Sequence, residues 1–417
     1  MSRFLSVFAN LICMVFLLTN ARVEAVEYDV SGFMSVGAGR INTADTKFED
    51  YDNHISFDLD TVLAAQLDLR LTHKISVTTQ VTSKGYRGNG DTEYKPQFEW
   101  AYLTYQMNTA WKFRVGKMAV PYYMISDFID VGMAYPWVRP PIDVYPYFVL
   151  PIATHEGIEF LYNKKFVAFN FVLQGIYGEF ENSIMADTLT YRMKGDPVKG
   201  FNVSFSNDIY TLRYSYLDLR LSFKSPQFNQ LLDAYYGLGE RYPEFNDIAD
   251  AFDTGKESNK FQSVGVSADY DTWLMSAEIV EDRTKNNLSA DLQGYYISVA
   301  YQFERFTPYL VLGGSTSENG RQLPDLIRAS DSLPITGIDK LIVNTVNELG
   351  LYAAITSAHE RTQTFGVRYD ISDTAVIKFE VERFDFYHGD NGGFKTIAGR
   401  ETPSIVWLYG LALDLVF

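Results

Sequence analysis

The chain has 417 residues, 47% hydrophobic and 15% aromatic, with 36 basic against 52 acidic side chains and a formal net charge of −16. That acidic balance excludes nucleic acid as a natural partner. Its single cysteine is Cys13, so the rest of the chain has no disulfide framework and must be held by extensive pairing or packing.

In chain order, Arg3, the apolar run Leu11 to Leu18 and the small-residue site Val23-Glu24-Ala25 have the layout of a secretory signal peptide cleaved before Val26. The run is too short to span a bilayer as a helix. Residues 1–25 are therefore expected to be removed, leaving 26–417 as one domain. No later stretch reaches the roughly eighteen apolar residues of a transmembrane helix.

Beyond residue 26 the chain alternates with period two, the mark of strands with two unlike faces. Sixteen such runs lie near 28–41, 54–71, 74–86, 96–108, 110–119, 154–163, 165–178, 198–207, 209–224, 259–270, 272–283, 290–304, 306–316, 360–371, 374–387 and 403–417. In the second, Phe57, Leu59, Leu63, Ala65, Leu67 and Leu69 interleave with Asp58, Asp60, Gln66, Asp68 and Arg70. In the ninth the phase of YTLRYSYLDLRLSFK slips near Tyr216–Leu217, which reads as a bulge.

Every second connection is tight, as at 72–74, 163–165, 207–208, Asp271, Arg305 and 372–373, while 120–153, 225–258 and 317–359 are long. Loops that long count against a compact soluble domain. Short turns on one side and long loops on the other fit a transmembrane barrel. In hydrocarbon a sheet spans only if it closes and leaves no unpaired edge. The expected fold is thus all-β, a transmembrane antiparallel barrel of about sixteen strands, wide enough for an aqueous channel.

The chain ends on Trp407, Tyr409, Leu411, Leu413, Leu415 and Phe417, an apolar stripe at every second position. This stripe is expected to face lipid on the strand that closes the cylinder. Trp111 and Trp273 open strands beside tight turns, where interfacial aromatics belong.

With these features the chain resembles the Gram-negative outer-membrane porins. The likeness rests on the signal peptide, the sixteen runs, the long loop after the fifth strand, and the stretches FEWAYLTYQ, FRVGKMAVPYY and AVIKFEVERFDF. It implies a water-filled channel for small hydrophilic solutes and ions, commonly a homotrimer, in outer-membrane lipid and lipopolysaccharide. It also implies that Tyr409, Leu411, Leu413, Leu415 and Phe417 act as the signal read by the barrel assembly machinery, and that the third loop folds into the barrel and narrows it. The acidic turn of the best-known general porins is absent from this loop.

Taken alone, loop 120–153 is rich in proline and in aromatics, with Tyr135, Trp137 and Tyr145 among them, and carries Asp127, Asp130, Arg139 and Asp143 as its only charges. Two readings stand: a rigid surface loop packed on its neighbours, or a constriction with an aromatic wall. In the second, Arg139 is expected to stand opposite Asp127, Asp130 or Asp143. Parity places Arg70, Arg114, Arg213, Arg220, Arg368 and Lys378 on the lining of the pore, against acids that include Asp218 and Glu380. Helical spacing is expected in the loops at 225–258 and, through Ile338, Leu341, Ile342, Thr345 and Leu349, at 317–359. The five histidines (54, 73, 155, 359 and 388) are scattered, with no metal-ligand pair and no nucleophile elbow. No enzyme, no metal and no cofactor is expected; an adhesin or receptor role, or a substrate-selective channel, is the alternative to a general pore.

Overall fold

The computed structural model describes residues 26–86, 94–146, 153–186, 189–224, 226–252, 257–284, 291–318, 359–387, 392, 394–396 and 402–417. The expected signal peptide and the expected helical spacing at 338–349 lie outside them. In order the strands are β1 (Glu27–Ile41), β2 (Thr46–Phe48), β3 (Val62–Arg70), β4 (Ile75–Lys84), β5 (Gln97–Gln106), β6 (Trp111–Ala119), β7 (Thr154–Lys165), β8 (Asn170–Ala186) and β9 (Leu189–Ser206). Then come β10 (Tyr210–Lys224), β11 (Glu257–Tyr270), β12 (Trp273–Thr284), β13 (Asp291–Tyr301), β14 (Phe306–Glu318), β15 (His359–Ser372), β16 (Ala375–Phe386), β17 (Phe394–Thr396) and β18 (Ile405–Val416).

All but β2 and β17 form one closed antiparallel barrel of 16 strands. Closure is made by β1, which pairs with β3 on one side and with β18 on the other, from Phe33↔Val416 to Ile41↔Leu408. The seam ends on a reciprocal pair of bonds between Gly32 and Phe417, at 2.9 and 3.0 Å. Such closure satisfies every ladder donor and acceptor in a medium without water.

The two faces differ as the alternation requires. On β16, Lys378, Glu380, Glu382 and Phe384 are buried, while Ile377 and Phe379 are exposed. On β18, Leu408, Ala412 and Asp414 point inward, while Tyr409, Leu411 and Phe417 are exposed on the outer face. An apolar belt thus surrounds a more polar interior, the inverse of a soluble barrel. Outer aromatics cluster beside the tight turns: Trp111 stands 4.8 Å from Tyr162, Trp273 4.9 Å from Tyr301, and Phe306 4.8 Å from Tyr369. Polar side chains make two of these turns: the Oδ1 atoms of Asn108 and Asn207 each accept two backbone N–H groups of the reversal. Asp271 turns its hairpin with φ of 57°, a conformation Asp tolerates better than most residues.

Four sequence expectations are corrected. The second barrel strand starts at Val62, and residues before it belong to a mouth structure in which β2 pairs with β17. There Phe48, Tyr51, Phe384, Phe386 and Phe394 form an apolar cluster. The turn expected at 163–165 lies further on, where Phe166 bonds back to Phe169. The register of β10 does not slip at Tyr216–Leu217; it shifts between Leu219 and Leu221, where Asp196 and Pro197 of β9 stand opposite Arg220. A proline is tolerated at such a bulge because no ladder donor is needed there. Unbroken parity from Arg213 then turns Arg220 and Asp218 outward; Arg220 is exposed, and neither lines the interior. The helices expected after β10 are present as α1 (Pro226–Gly239) and α2 (Glu244–Phe252), with Tyr235 packed on Phe245 at 5.6 Å.

Candidate functional site

Residues 120–146 leave β6 and are tied to inward-facing side chains on strands far away in sequence. Their aromatics, Phe128 apart, do not face water. Tyr122, Tyr123, Tyr135, Trp137 and Tyr145 are buried with Leu217, Leu219, Leu221, Phe261, Val280, Tyr296 and Tyr309 of the wall. This explains the misleading phase slip on β10: its inner face turns apolar where loop aromatics cover it. Rings meet edge to face, as for Trp137 on Tyr296 (5.6 Å) and Tyr122 on Phe261 (5.0 Å), the arrangement favoured by the ring quadrupole.

Polar contacts fix the register of this packing. Trp137 Nε1 donates to Ser298 Oγ (2.9 Å), Ser263 Oγ donates to the carbonyl of Tyr122 (2.8 Å), and Tyr145 donates its hydroxyl hydrogen to Glu278. Lys378 is fully enclosed; its Nζ donates to the carbonyls of Gly132 (2.6 Å) and Trp137 (2.7 Å) and pairs with Asp414 (2.8 Å). Arg368 donates to the carbonyl of Met133 at 2.8 Å. Arg213 holds Asp127 at 2.9 Å and reaches the carbonyl of Met124.

Arg139 corrects the expected pairing within the loop. Its guanidinium, 3% exposed, binds Asp60 (2.8 Å), Glu380 (3.1 Å) and Glu382 (3.5 Å), all outside the loop. Glu380 also accepts the N–H of Val138 (3.1 Å) and the hydroxyl of Tyr309 (2.8 Å). A buried guanidinium answered by several carboxylates is costly to unpair. Asp143, 1% exposed, accepts from Thr362 at 2.5 Å. Burial, then the charge of Glu360, holds its carboxyl well above the ordinary aspartate range. Glycine makes this seat: a Cβ on Gly294 would collide with the Asp143 carbonyl oxygen, and one on Gly313 with Asp143 Oδ2.

One edge of the loop is not packed. Between residues 126–131 and β4–β6 lies a small gap of about 30 Å³, lined by Gln80, Lys84, Glu99, Trp100, Asp127, Phe128 and Asp130 among others. Lys84 crosses it, pairing with Asp130 at 2.7 Å and reaching Glu99 at 3.7 Å.

No protein-family model and no curated protein sequence matches the chain. Solved structures do. The anion-selective porin from Comamonas acidovorans has a TM-score of 0.56 at 10% identity, covering 94% of this chain and 100% of that chain. OmpF of Salmonella typhi, in a complex with daunomycin, gives 0.56 at 11% identity, with coverage of 94% and 97%. The outer membrane channel DcaP of Acinetobacter baumannii gives 0.52 at 12%, again with 94% and 97%. The chain has the general porin fold. At these identities the likeness is one of fold alone, so the site rests on this chain's own geometry.

Within the porin fold, the residues singled out from sequence fall in several places. Asp127 and Asp130 border the gap; Tyr135, Trp137, Arg139, Asp143 and Tyr145 are buried in the loop's seat. Arg213, Arg368, Lys378 and Glu380 hold the loop, and Arg114 of β6 pairs with buried Glu159 of β7 at 3.3 Å. Arg70 pairs with Glu27 at an exposed barrel end. Glu99, Trp100 and Phe128 were missed. A lone Trp inside an alternating strand reads as an interface residue, and only pairing with β4 turns Trp100 inward beside Gln80.

Proposed function

We propose that this protein is an outer-membrane porin of a Gram-negative cell, a narrow water-filled channel for passive diffusion of small hydrophilic solutes and ions. Residues 120–146 are its constriction, folded into the lumen. The observation that carries this reading is the set of bonds from one loop to inward side chains on β10, β11, β12, β13, β15 and β16. A loop lying over the outside of the barrel has no access to that face. The gap between residues 126–131 and β4–β6 is the water path left beside it.

The remaining assignments rest on the same reading. Residues 1–25 are the cleaved export signal. The outer belt meets membrane lipid, with lipopolysaccharide in the outer leaflet, and the Tyr409 to Phe417 stripe is the signal for the assembly machinery. The working unit is a homotrimer. Arg213, Arg368, Lys378 and Glu380 of the interior are engaged in seating the loop, which supports a channel. Planar-bilayer recording on the purified protein tests the reading: discrete conductance steps are expected, enlarged by shortening residues 124–140. Folded barrel without discrete steps overturns it.

A further inference from the structure

We propose that the mouth segment 46–60 controls the constriction by positioning Arg139, and that the pairing of β2 with β17 ties that position to the outer loops. The inference rests on the reading of residues 120–146 as the constriction and adds a second chain segment that governs it.

The segment folds inward because the wall makes room for it. Phe48 and Tyr51 exchange backbone bonds of 2.9 and 2.8 Å, a tight reversal with Glu49 at φ of 50°. Beyond it, the carbonyls of Asp52 and Ser56 accept from Ile41 and Gly39 of β1. Tyr51 is fully buried. Its ring lies on Gly39, where an added Cβ would stand 2.5 Å away, and Asp60 lies on Gly37, where one would stand 2.3 Å from its own Cβ. Opposite Gly39 on β18 is Gly410, and a Cβ there would come within 2.8 Å of the Arg139 guanidinium. Glycines on adjoining strands thus form the floor on which Tyr51, Asp60 and Arg139 are seated. Water alone needs no such clearance.

The seat fixes orientation as well as distance. Two nitrogens of Arg139 reach the two oxygens of Asp60, at 2.8 and 3.4 Å, the forked arrangement that gives arginine its directional hold. The Tyr51 hydroxyl donates to Asp60 at 2.7 Å, and its ring centre stands 5.8 Å from the guanidinium carbon. Tyr51 and Asp60 are therefore positioning residues for Arg139.

The segment is held in turn by another outer loop. Thr46, Lys47 and Phe48 pair with Thr396, Lys395 and Phe394. The ring of Phe394 packs on Phe48 (4.9 Å), Phe384 (4.9 Å) and Phe386 (5.1 Å). The cluster they form also takes in Ile142 of the constriction. Close-packed interiors transmit displacement, so movement of β17 reaches residues 139–142 through Phe48, Tyr51 and Asp60.

The test is planar-bilayer recording on the full barrel purified from membranes, with folding of each variant checked by heat-modifiable migration. Phe394→Ala leaves Arg139 and its carboxylates in place, yet mean conductance is expected to rise, and open-channel noise to rise several-fold. Lys47→Cys with Lys395→Cys puts two thiols directly opposite in register, and the chain's one natural cysteine, Cys13, falls in the expected signal peptide. In the Phe394→Ala background this cross-link, once formed, should restore the quiet current, and reductant should abolish the rescue. In Arg139→Met, where the anchor is already gone, Phe394→Ala should add nothing, since coupled residues are not additive. Wild-type noise in folded Phe394→Ala, a formed cross-link without rescue, or additive effects in the double variant each overturn the inference alone. If shortening residues 124–140 leaves conductance unchanged, the constriction reading falls and the inference with it.

Discussion

Replacing Arg139 with Met keeps most of the side chain's length and removes its charge. In the folded protein this charge is bound by Asp60, Glu380 and Glu382, with side chains 6%, 1% and 3% exposed. Removing one member of such a buried network costs about 3–5 kcal/mol, because the remaining charges lose their partner in a place poor in water. The barrel ladder does not depend on this contact, so the cost falls on the docking of residues 120–146. Even about 3 kcal/mol shifts a docked-to-undocked equilibrium by roughly a hundred-fold. Single-channel recording is then expected to show a larger mean conductance and strong open-channel noise in Arg139→Met, with normal heat-modifiable migration. Adding Glu380→Gln should quieten the channel in part, since one orphaned carboxylate is gone and an amide oxygen still accepts from Val138 and Tyr309. Wild-type conductance and noise in a folded Arg139→Met barrel would refute the latch.

The same geometry sets other expectations. Gly294→Val is expected to expel the 141–145 turn, since its side chain would occupy the place of the Asp143 carbonyl, and conductance should rise. Asp143 has a docked-state pKa above its free value, so docking is favoured as pH falls and loses that support as pH rises through the docked value. Conductance should therefore decrease on acidification, and Asp143→Asn, which stays neutral beside Glu360 and Glu382, should flatten the dependence; an identical pH profile in the variant would count against the assignment. Phe417→Asp puts a charge beside Gly32 at the seam, and folded barrel in the membrane fraction of that variant should fall sharply. Mass measurement in mild detergent checks the trimer, and a monomer alone would remove it.

The alternation of residues determined the barrel by itself. Period two forces unlike faces, lipid demands closure, and tight connections such as Asn207–Asp208 and Asp271 fixed which strands are hairpin partners. Every one of the sixteen expected barrel strands is present, because each is specified locally by parity, and parity survives an error of a few residues at an end. Local pattern failed where a face is set by what covers it. Leu217, Leu219 and Leu221 look like a break in register if an inner face must be polar, yet here they are buried in one apolar cluster with the loop's aromatics. Arg220 was assigned inward through the same error. The partners of Arg139 were beyond reach for a related reason: Asp60 and Glu380 lie 79 and 241 residues away. Spacing along one strand says which way a side chain points, but only closure of the cylinder brings β16 and the segment before β3 to the same loop. The tertiary structure alone decided which charges, like those of Arg139, Lys378 and Glu380, are buried as fastenings of the loop.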